Sequence, residues 1–137
     1  MNIFAYGTLM RREIMEEAAG EGCTGRKAVL EGYERRAVRD EVYPAIVARP
    51  GGRVDGIVYT GVSARAADRL DRFEGELYAR SEVRVRCEDG GELPAWTYVA
   101  AAGREGALAE EGWSFEEFLK NGRFRFEGRY KGFKAIE

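Results

Sequence analysis

The stretch SARAADRLDRFEGELYAR at residues 63–80 reads as one amphipathic helix that ends at a glycine and leads into a strand. Successive side chains of a helix are about 100° apart, so four apolar residues fall on one arc of its surface. The four are Ala66, Ala67, Leu70 and Phe73. Glu74 falls within the same arc, so a helix packed by this face carries one carboxylate toward the core.

Glu74 is therefore a candidate proton-transfer group. It lies in the last turn of the helix, beside the carbonyls that form the negative end of the helix dipole. Burial and the dipole both disfavour an ionised carboxylate, so we expect a pKa above the usual value of about 4.3. A carboxyl group that titrates nearer neutrality can act as a base. Alternatively, Gly75 is a helix C-cap that lets Glu74 turn outward into solvent.

The composition limits the chemistry that this chain can perform. The 137 residues include no histidine, which excludes Ser-His-Asp and Cys-His nucleophilic sites and histidine-based metal sites. Cys23 and Cys87 form no CxxC pair, a pattern that favours reduced thiols in a cytoplasmic protein. The 22 basic and 24 acidic residues give a net charge of −2, which argues against a dedicated polyanion binder.

The length and the hydropathy pattern predict one soluble domain over residues 1–137. No apolar run approaches the roughly 18 residues of a membrane span. Met1 leads directly into a strand-like segment without a basic and apolar leader. We therefore expect a cytoplasmic protein that does not bind membranes.

A second motif, YGTL, follows the first predicted strand at residues 6–9. It reads as a tight glycine turn that opens a helix. Backbone N–H groups at such a turn can hold an anionic group, and Gly7 lets a ligand approach the backbone. The same pattern also fits an ordinary strand-to-helix turn. The helix that follows has Ile14, Met15, Ala18 and Ala19 on one side.

The rest of the chain is mostly β-structure in pattern. Strand-like segments occur at 2–6, 23–30, 33–38, 43–48, 54–62, 78–87 and 93–100. A Pro-Gly-Gly turn separates the fourth and fifth segments, and the turn EDGG joins the last two. Pro44 lies near the start of its strand, where a missing donor does least harm. Gly56 and Gly61 suggest a bulge or the close approach of another backbone.

The C-terminal part predicts a helix and a basic, aromatic tail. Ser114 with Glu117 forms a capping box, and Trp113 with Phe118 forms a hydrophobic staple. The tail at 123–137 alternates aromatic and basic residues, which can mark a surface for single-stranded nucleic acid. We favour instead a strand or clasp with packed aromatics and solvated cations, because the rest of the chain is not basic.

Three separated motifs together resemble the γ-glutamylcyclotransferase-like superfamily, and most closely its avirulence-induced-gene-like and γ-glutamylamine cyclotransferase branch. The motifs are YGTL at 6–9, YPAIV at 43–47 and LDRFEGELYAR at 70–80. The resemblance runs from Met1 to about Tyr98 and continues less distinctly through the helix at Trp113. It implies an α+β fold, a mixed β-barrel of about six or seven strands with flanking helices.

The resemblance also implies an activity, the release of 5-oxoproline from γ-glutamyl compounds without metal or cofactor. It places the catalytic glutamate at Glu74 and the substrate-holding turn at the YGTL motif. The predicted substrate-binding residues are Tyr6, Gly7, Thr8, Leu9, Pro44 and Tyr78. The hydroxyl of Tyr78 either orients Glu74 or belongs to a plain strand aromatic. After YGTL, many relatives have a basic residue and a glycine, whereas this chain continues with MRRE, which affects the mouth of the site and so the substrate.

The expected partner is a small γ-glutamyl molecule, bound by a monomer or weak homodimer without nucleic acid or membrane. A different class of function is a non-enzymatic module that binds a small anionic metabolite in the same cavity. The turn and the cavity alone suffice for that role. Nucleic-acid binding through the tail is a third hypothesis, and it predicts a steep salt dependence.

Overall fold

The computed structural model describes residues 1–39, 41, 43–109 and 112–122, including all their side chains except those of 121 and 122. Within these residues there are five strands. They are β1 (Ile3–Ala5), β2 (Thr24–Ala37), β3 (Pro44–Thr60), β4 (Tyr78–Cys87) and β5 (Glu92–Ala100). They close into a barrel in the order β1-β3-β2-β4-β5. β1 runs parallel to β5 and the other pairs are antiparallel, so the predicted mixed barrel is confirmed.

The barrel has five strands and not the six or seven expected, because a bulge joins segments that the sequence predicts as separate strands. Glu31 pairs with Arg53 and Tyr33 pairs with Ala48, so only Gly32 on β2 faces the four intervening residues on β3. The predicted Pro-Gly-Gly turn therefore lies within β3 as an excursion of its backbone. Gly32 has a φ of 86°, a conformation that side chains disfavour, so it continues the ladder at the point where a strand break was expected.

Helices cover one side of this barrel. They are α1 (Arg12–Ala19), α2 (Ala64–Glu74) and the short α3 (Phe115–Glu117), which continues as a π-helical turn at Phe118–Gly122. 3-10 turns occupy Thr8–Met10 and Glu105–Ala107. Among the described residues, no helix combines the length and apolar character needed to span a bilayer.

The predicted helix α2 is confirmed at both ends and on its buried face. The Ser63 hydroxyl accepts a hydrogen bond from the backbone N–H of Ala66 at 3.0 Å, which caps the first turn. Its four apolar residues are at most 1 % exposed, and Ala66, Leu70 and Phe73 pack in one core cluster with the apolar face of α1. Gly75 ends the helix at a φ of 79° and donates its N–H to the Asp71 carbonyl.

The sequence predicts a bulge or the close approach of another backbone at Gly56, and the close approach is confirmed. A Cβ built on it would collide with the Ala5 carbonyl oxygen and the Phe4 ring on β1. A side chain at this position would therefore separate β3 from β1. The same prediction is wrong for Gly61, which lies just after β3 in a turn with a φ of 69°.

The C-terminal signals are confirmed where the chain is described. The Ser114 hydroxyl accepts a hydrogen bond from the Glu117 N–H at 3.3 Å, and the Trp113 and Phe118 rings lie 5.8 Å apart. These are the predicted cap and staple. The helix is shorter than its signals suggest, since α3 passes into the π-helical turn after one turn. The predicted tail strand at 123–137 lies outside the described residues.

Candidate active site

A small cavity lies where the last turn of α2 meets the turn after β1. All seven residues predicted for the site line it: Glu74 with Tyr6, Gly7, Thr8, Leu9, Pro44 and Tyr78. Its volume is about 20 Å³, which is room for about one water molecule. Barrel closure thus brings together three stretches that are far apart in sequence.

Two further tyrosines line this cavity, Tyr43 and Tyr98. Tyr43 is the first residue of the YPAIV motif, so the motif itself could have pointed to it. Tyr98 lies on β5 and pairs across the sheet with Arg80 on β4. No local pattern marks Tyr98, because only the β4-β5 pairing brings it over the end of α2.

The carboxyl group of Glu74 has a strongly perturbed pKa. Burial raises the pKa from its ordinary value of 4.5 to about 8, and the negative charge of Asp71 adds to the rise. Glu74 as a whole is half-buried, and it lines the cavity. The alternative that Gly75 turns Glu74 into bulk solvent is therefore wrong, although Gly75 does cap the helix. The contribution of the helix dipole stays a prediction.

Glu74 has no salt-bridge partner among the described residues, and the cavity wall opposite it is phenolic. Hydroxyl groups of this wall donate hydrogen bonds to oxygen atoms of the protein. Tyr6 donates to the Tyr98 carbonyl at 2.5 Å, Tyr78 to the Pro44 carbonyl at 2.5 Å, and Tyr98 to the Asp71 carboxylate at 2.7 Å. These bonds fix the rings and tie together α2, β3, β4 and β5.

The phenols of the wall are held in their neutral form. Burial is the main cause that raises the pKa of Tyr6 and of Tyr98, and it raises the pKa of Tyr43 to about 12. The charge of Glu74 acts in the same direction on all three phenols. Near neutral pH, Glu74 is therefore the group in this set that changes its protonation state.

The turn after β1 presents backbone donors to the cavity. Within the described part of the chain, the N–H groups of Gly7, Thr8 and Leu9 donate to no protein acceptor, since they precede the first intrahelical bond at Met10. Three consecutive N–H groups at the start of a helical turn favour a negative charge beside them. This is the predicted arrangement for holding an anionic group.

Glycine is required at position 7 because Pro44 packs against it, in addition to the close approach of a ligand that the sequence predicts. A Cβ at Gly7 would lie 2.7 Å from Cγ of Pro44, which is closer than packed carbon atoms approach. The need for glycine at this position is therefore steric. Pro44 consequently covers the turn, and the first residue of β3 forms one wall of the cavity.

This chain is similar to known proteins in sequence and in fold. The profile described as "Gamma-glutamyl cyclotransferase, AIG2-like" matches residues 3–115. Arabidopsis thaliana "Protein AIG2 C" is 32% identical over 118 residues, which are 85% of this chain and 71% of that protein. "AIG2-like protein C" from the same plant is 32% identical over 133 residues, 96% of this chain and 77% of that protein.

Solved structures agree with these matches. A solution structure from Arabidopsis thaliana superposes with a TM-score of 0.73 at 30% identity, covering 93% of this chain and 77% of the other. A structure named gamma-glutamyl cyclotransferase superposes with a TM-score of 0.61 at 18% identity, covering 99% of this chain and 87% of the other. At that identity the second likeness shows the fold alone. Because the profile spans most of the sequence, this chain belongs to the AIG2-like gamma-glutamyl cyclotransferase family.

Proposed function

We propose that this protein is a γ-glutamyl cyclotransferase that converts a γ-glutamyl amine or γ-glutamyl amino acid into 5-oxoproline and a free amine. The observation that carries the proposal is the placement of Glu74, with its raised pKa, in one cavity with the unpaired N–H groups of the turn at Gly7. Membership of the family supports the same class of reaction.

The reaction is an intramolecular acyl transfer. The α-amino nitrogen of the substrate attacks its own γ-carbonyl carbon and closes a five-membered ring, and the bond from that carbon to the leaving nitrogen then breaks. One proton moves from the attacking nitrogen to the leaving nitrogen. Both reacting groups belong to one molecule, so holding it in a folded conformation supplies much of the rate.

Glu74 is suited to move that proton. The α-amino group of a peptide has a reference pKa of about 8, and the pKa of Glu74 is also about 8. Proton transfer between two groups of equal pKa costs little free energy. Glu74 therefore accepts a proton from the attacking amine and returns it to the leaving amine, a role that typically contributes about 10²- to 10⁴-fold to the rate.

The N–H groups of Gly7, Thr8 and Leu9 serve as the anion-binding part of the site. They bind either the α-carboxylate of the substrate or the oxyanion that forms at the γ-carbonyl. In the second case, losing one donor typically costs about 10²- to 10³-fold in rate. The neutral phenols of Tyr6 and Tyr98 already donate their single O–H groups to oxygen atoms of the protein, so they enclose the site without adding charge.

Substrate entry requires a wall of the cavity to move, because a γ-glutamyl group is much larger than the one water molecule that now fits. We expect this wall to be the start of β3. Pro44 packs directly on Gly7, and its carbonyl is held by Tyr78. A side-chain and backbone shift at this point would uncover the N–H groups of the turn.

The test is a panel of γ-glutamyl amines and γ-glutamyl amino acids, assayed by the release of 5-oxoproline. Glu74→Gln should keep the fold and, at about pH 6 where Glu74 is protonated, the substrate affinity, while turnover falls about 10²- to 10⁴-fold. Undiminished turnover by this variant would rule out the role of Glu74. Thermal stabilisation by 5-oxoproline without turnover of any substrate would favour the non-enzymatic binding module.

A further inference from the structure

Arg35 on β2 is a half-buried cation whose hydrogen bonds go to backbone carbonyls. One of its nitrogen atoms donates to the Tyr6 carbonyl, and the same nitrogen lies 3.3 Å from the Asp55 carbonyl oxygen. No carboxylate forms a salt bridge with Arg35 within the described residues. Burial lowers the pKa of Arg35, and the negative charge of Asp55 acts in the opposite direction without forming a salt bridge. A half-buried cation without a direct ion pair needs a reason.

The guanidinium of Arg35 also contacts an aromatic ring. Its central carbon lies 5.7 Å from the centre of the Trp113 ring, within the range of a cation–π contact. Trp113 in turn packs against the rings of Phe115 and Phe118 at 6.2 and 5.8 Å. The segment around α3 therefore places an aromatic ring against the guanidinium of Arg35.

The hydrogen bond from Arg35 to the Tyr6 carbonyl affects the orientation of the turn at Gly7. The Tyr6 carbonyl and the Gly7 N–H belong to one planar trans peptide, so they point in opposite directions. Arg35 lines a separate groove, whereas Gly7 lines the Glu74 cavity. Holding the carbonyl toward Arg35 therefore turns the N–H of Gly7 away from it. A charged donor on the carbonyl also polarises the peptide and strengthens its N–H as a donor.

We infer that Arg35 is a positioning residue for the anion-binding turn, acting through the Tyr6–Gly7 peptide, and that Trp113 holds it in place. This inference rests on the proposed function, because it assigns the turn to an anionic group of the substrate. Arg35 itself does not touch the substrate. It fixes the direction of the Gly7 donor and adds positive potential behind it.

Arg36, the residue next to Arg35 on β2, provides a matched control. Arg36 is also half-buried, and its Nε donates to a backbone carbonyl, that of Ala109, at 2.8 Å. Ala109 does not line the cavity. Arg35→Met and Arg36→Met therefore each remove one guanidinium and its bond to a backbone carbonyl, but only the first affects the turn.

The experiment measures kcat and KM for a γ-glutamyl substrate and the Kd of 5-oxoproline, for both methionine variants and for Arg35→Lys. For Arg35→Met we expect a loss of about tenfold or more in one of these constants, below the loss of a full oxyanion donor. Arg36→Met should stay within about twofold of the unmodified chain, and Arg35→Lys should recover part of the loss because it keeps the charge but not the planar fork. A change in KM and Kd indicates a bound carboxylate, and a change in kcat alone indicates the oxyanion.

Equal effects of Arg35→Met and Arg36→Met would overturn the inference, since a merely structural arginine predicts that result. If Arg35→Met does not fold, Arg35→Lys decides, and full activity in that variant would count against the orientation of the peptide by the fork. Failure of the proposed function is a separate outcome, seen as no turnover by the unmodified chain. The binding of 5-oxoproline then still tests Arg35, and an unmodified chain that binds none would overturn the inference as well.

Discussion

Glu74→Gln should stabilise the fold near neutral pH while it removes activity. The Glu74 carboxyl group titrates at 4.5 when exposed and at about 8 in the folded chain. Between these values the unfolded chain has released the proton and the folded chain has kept it. The free energy of unfolding therefore falls as the pH rises through this range, and the contribution is lost by the time the pH passes the folded pKa. Glutamine cannot ionise, so the variant escapes this loss.

The size of the effect follows from the two pKa values. Each pH unit between them changes the free energy of unfolding by about 1.4 kcal/mol. At pH 7 the folded carboxyl group is still mostly protonated, so the loss relative to acidic solution is at most about 3 kcal/mol, and its limit above the folded pKa is about 5 kcal/mol. The amide of glutamine has nearly the shape of the protonated acid, so packing should change little.

Denaturant unfolding at about pH 5, 6, 7 and 8 measures this difference directly. The stability advantage of Glu74→Gln should be smallest at pH 5 and should grow by about 1 to 1.4 kcal/mol per pH unit. Glu76→Gln is the control, because the Glu76 side chain is 94% exposed and lies 3.7 Å from Arg104 in a surface ion pair. An advantage that stays constant over this pH range would show that Glu74 ionises as it does in water. The conclusion that burial raises the pKa of Glu74 would then be refuted.

Further predictions test the groups around Glu74. Asp71→Asn removes the charge that helps to raise the pKa of Glu74, so the rising acidic limb of the kcat/KM profile should move to lower pH; an unmoved limb would count against this coupling. Gly7→Ala drives a methyl group into Pro44 and should destabilise the fold by about 1–3 kcal/mol, read by denaturant unfolding, with turnover lost as well. Leu70→Ala creates a cavity at a fully buried site and should cost about 2–5 kcal/mol without moving the pH profile.

Local sequence patterns predict the elements that carry their own start and stop signals. The helix α2 has a serine cap, an apolar arc and a terminal glycine, and all of these appear in the structure as predicted. The predicted number of strands was wrong because a glycine inside a strand pattern is typical of a strand break and equally of a bulge. Gly32 could not be assigned to either from its neighbours alone. Only the pairing of β2 with β3 decides that the ladder continues through it.

In the candidate site too, only residues that carry a local sequence pattern could be predicted. Glu74 and the turn at Gly7 could be predicted, since the first breaks an apolar pattern and the second follows a strand. Tyr98 and Arg35 could not, because each lies on a strand where tyrosine and arginine are ordinary residues. Their contacts with Asp71 and with the Tyr6 carbonyl exist only once the barrel has closed. Pairwise contacts between distant strands carry no local signature in the chain.

The desolvation that makes Glu74 a suitable base also makes it a cost to the fold. A carboxyl group that titrates near 8 matches an amine, but each proton that it loses leaves a charge in a cavity with no counter-ion among the described residues. A bound substrate supplies that counter-ion as its own ammonium group. Binding should therefore lower the pKa of Glu74 and relieve the destabilisation. A γ-glutamyl compound whose α-amino group is acetylated cannot provide this relief, so it should neither react nor stabilise the chain more at pH 8 than at pH 6, whereas stabilisation by the free amine should increase over that range.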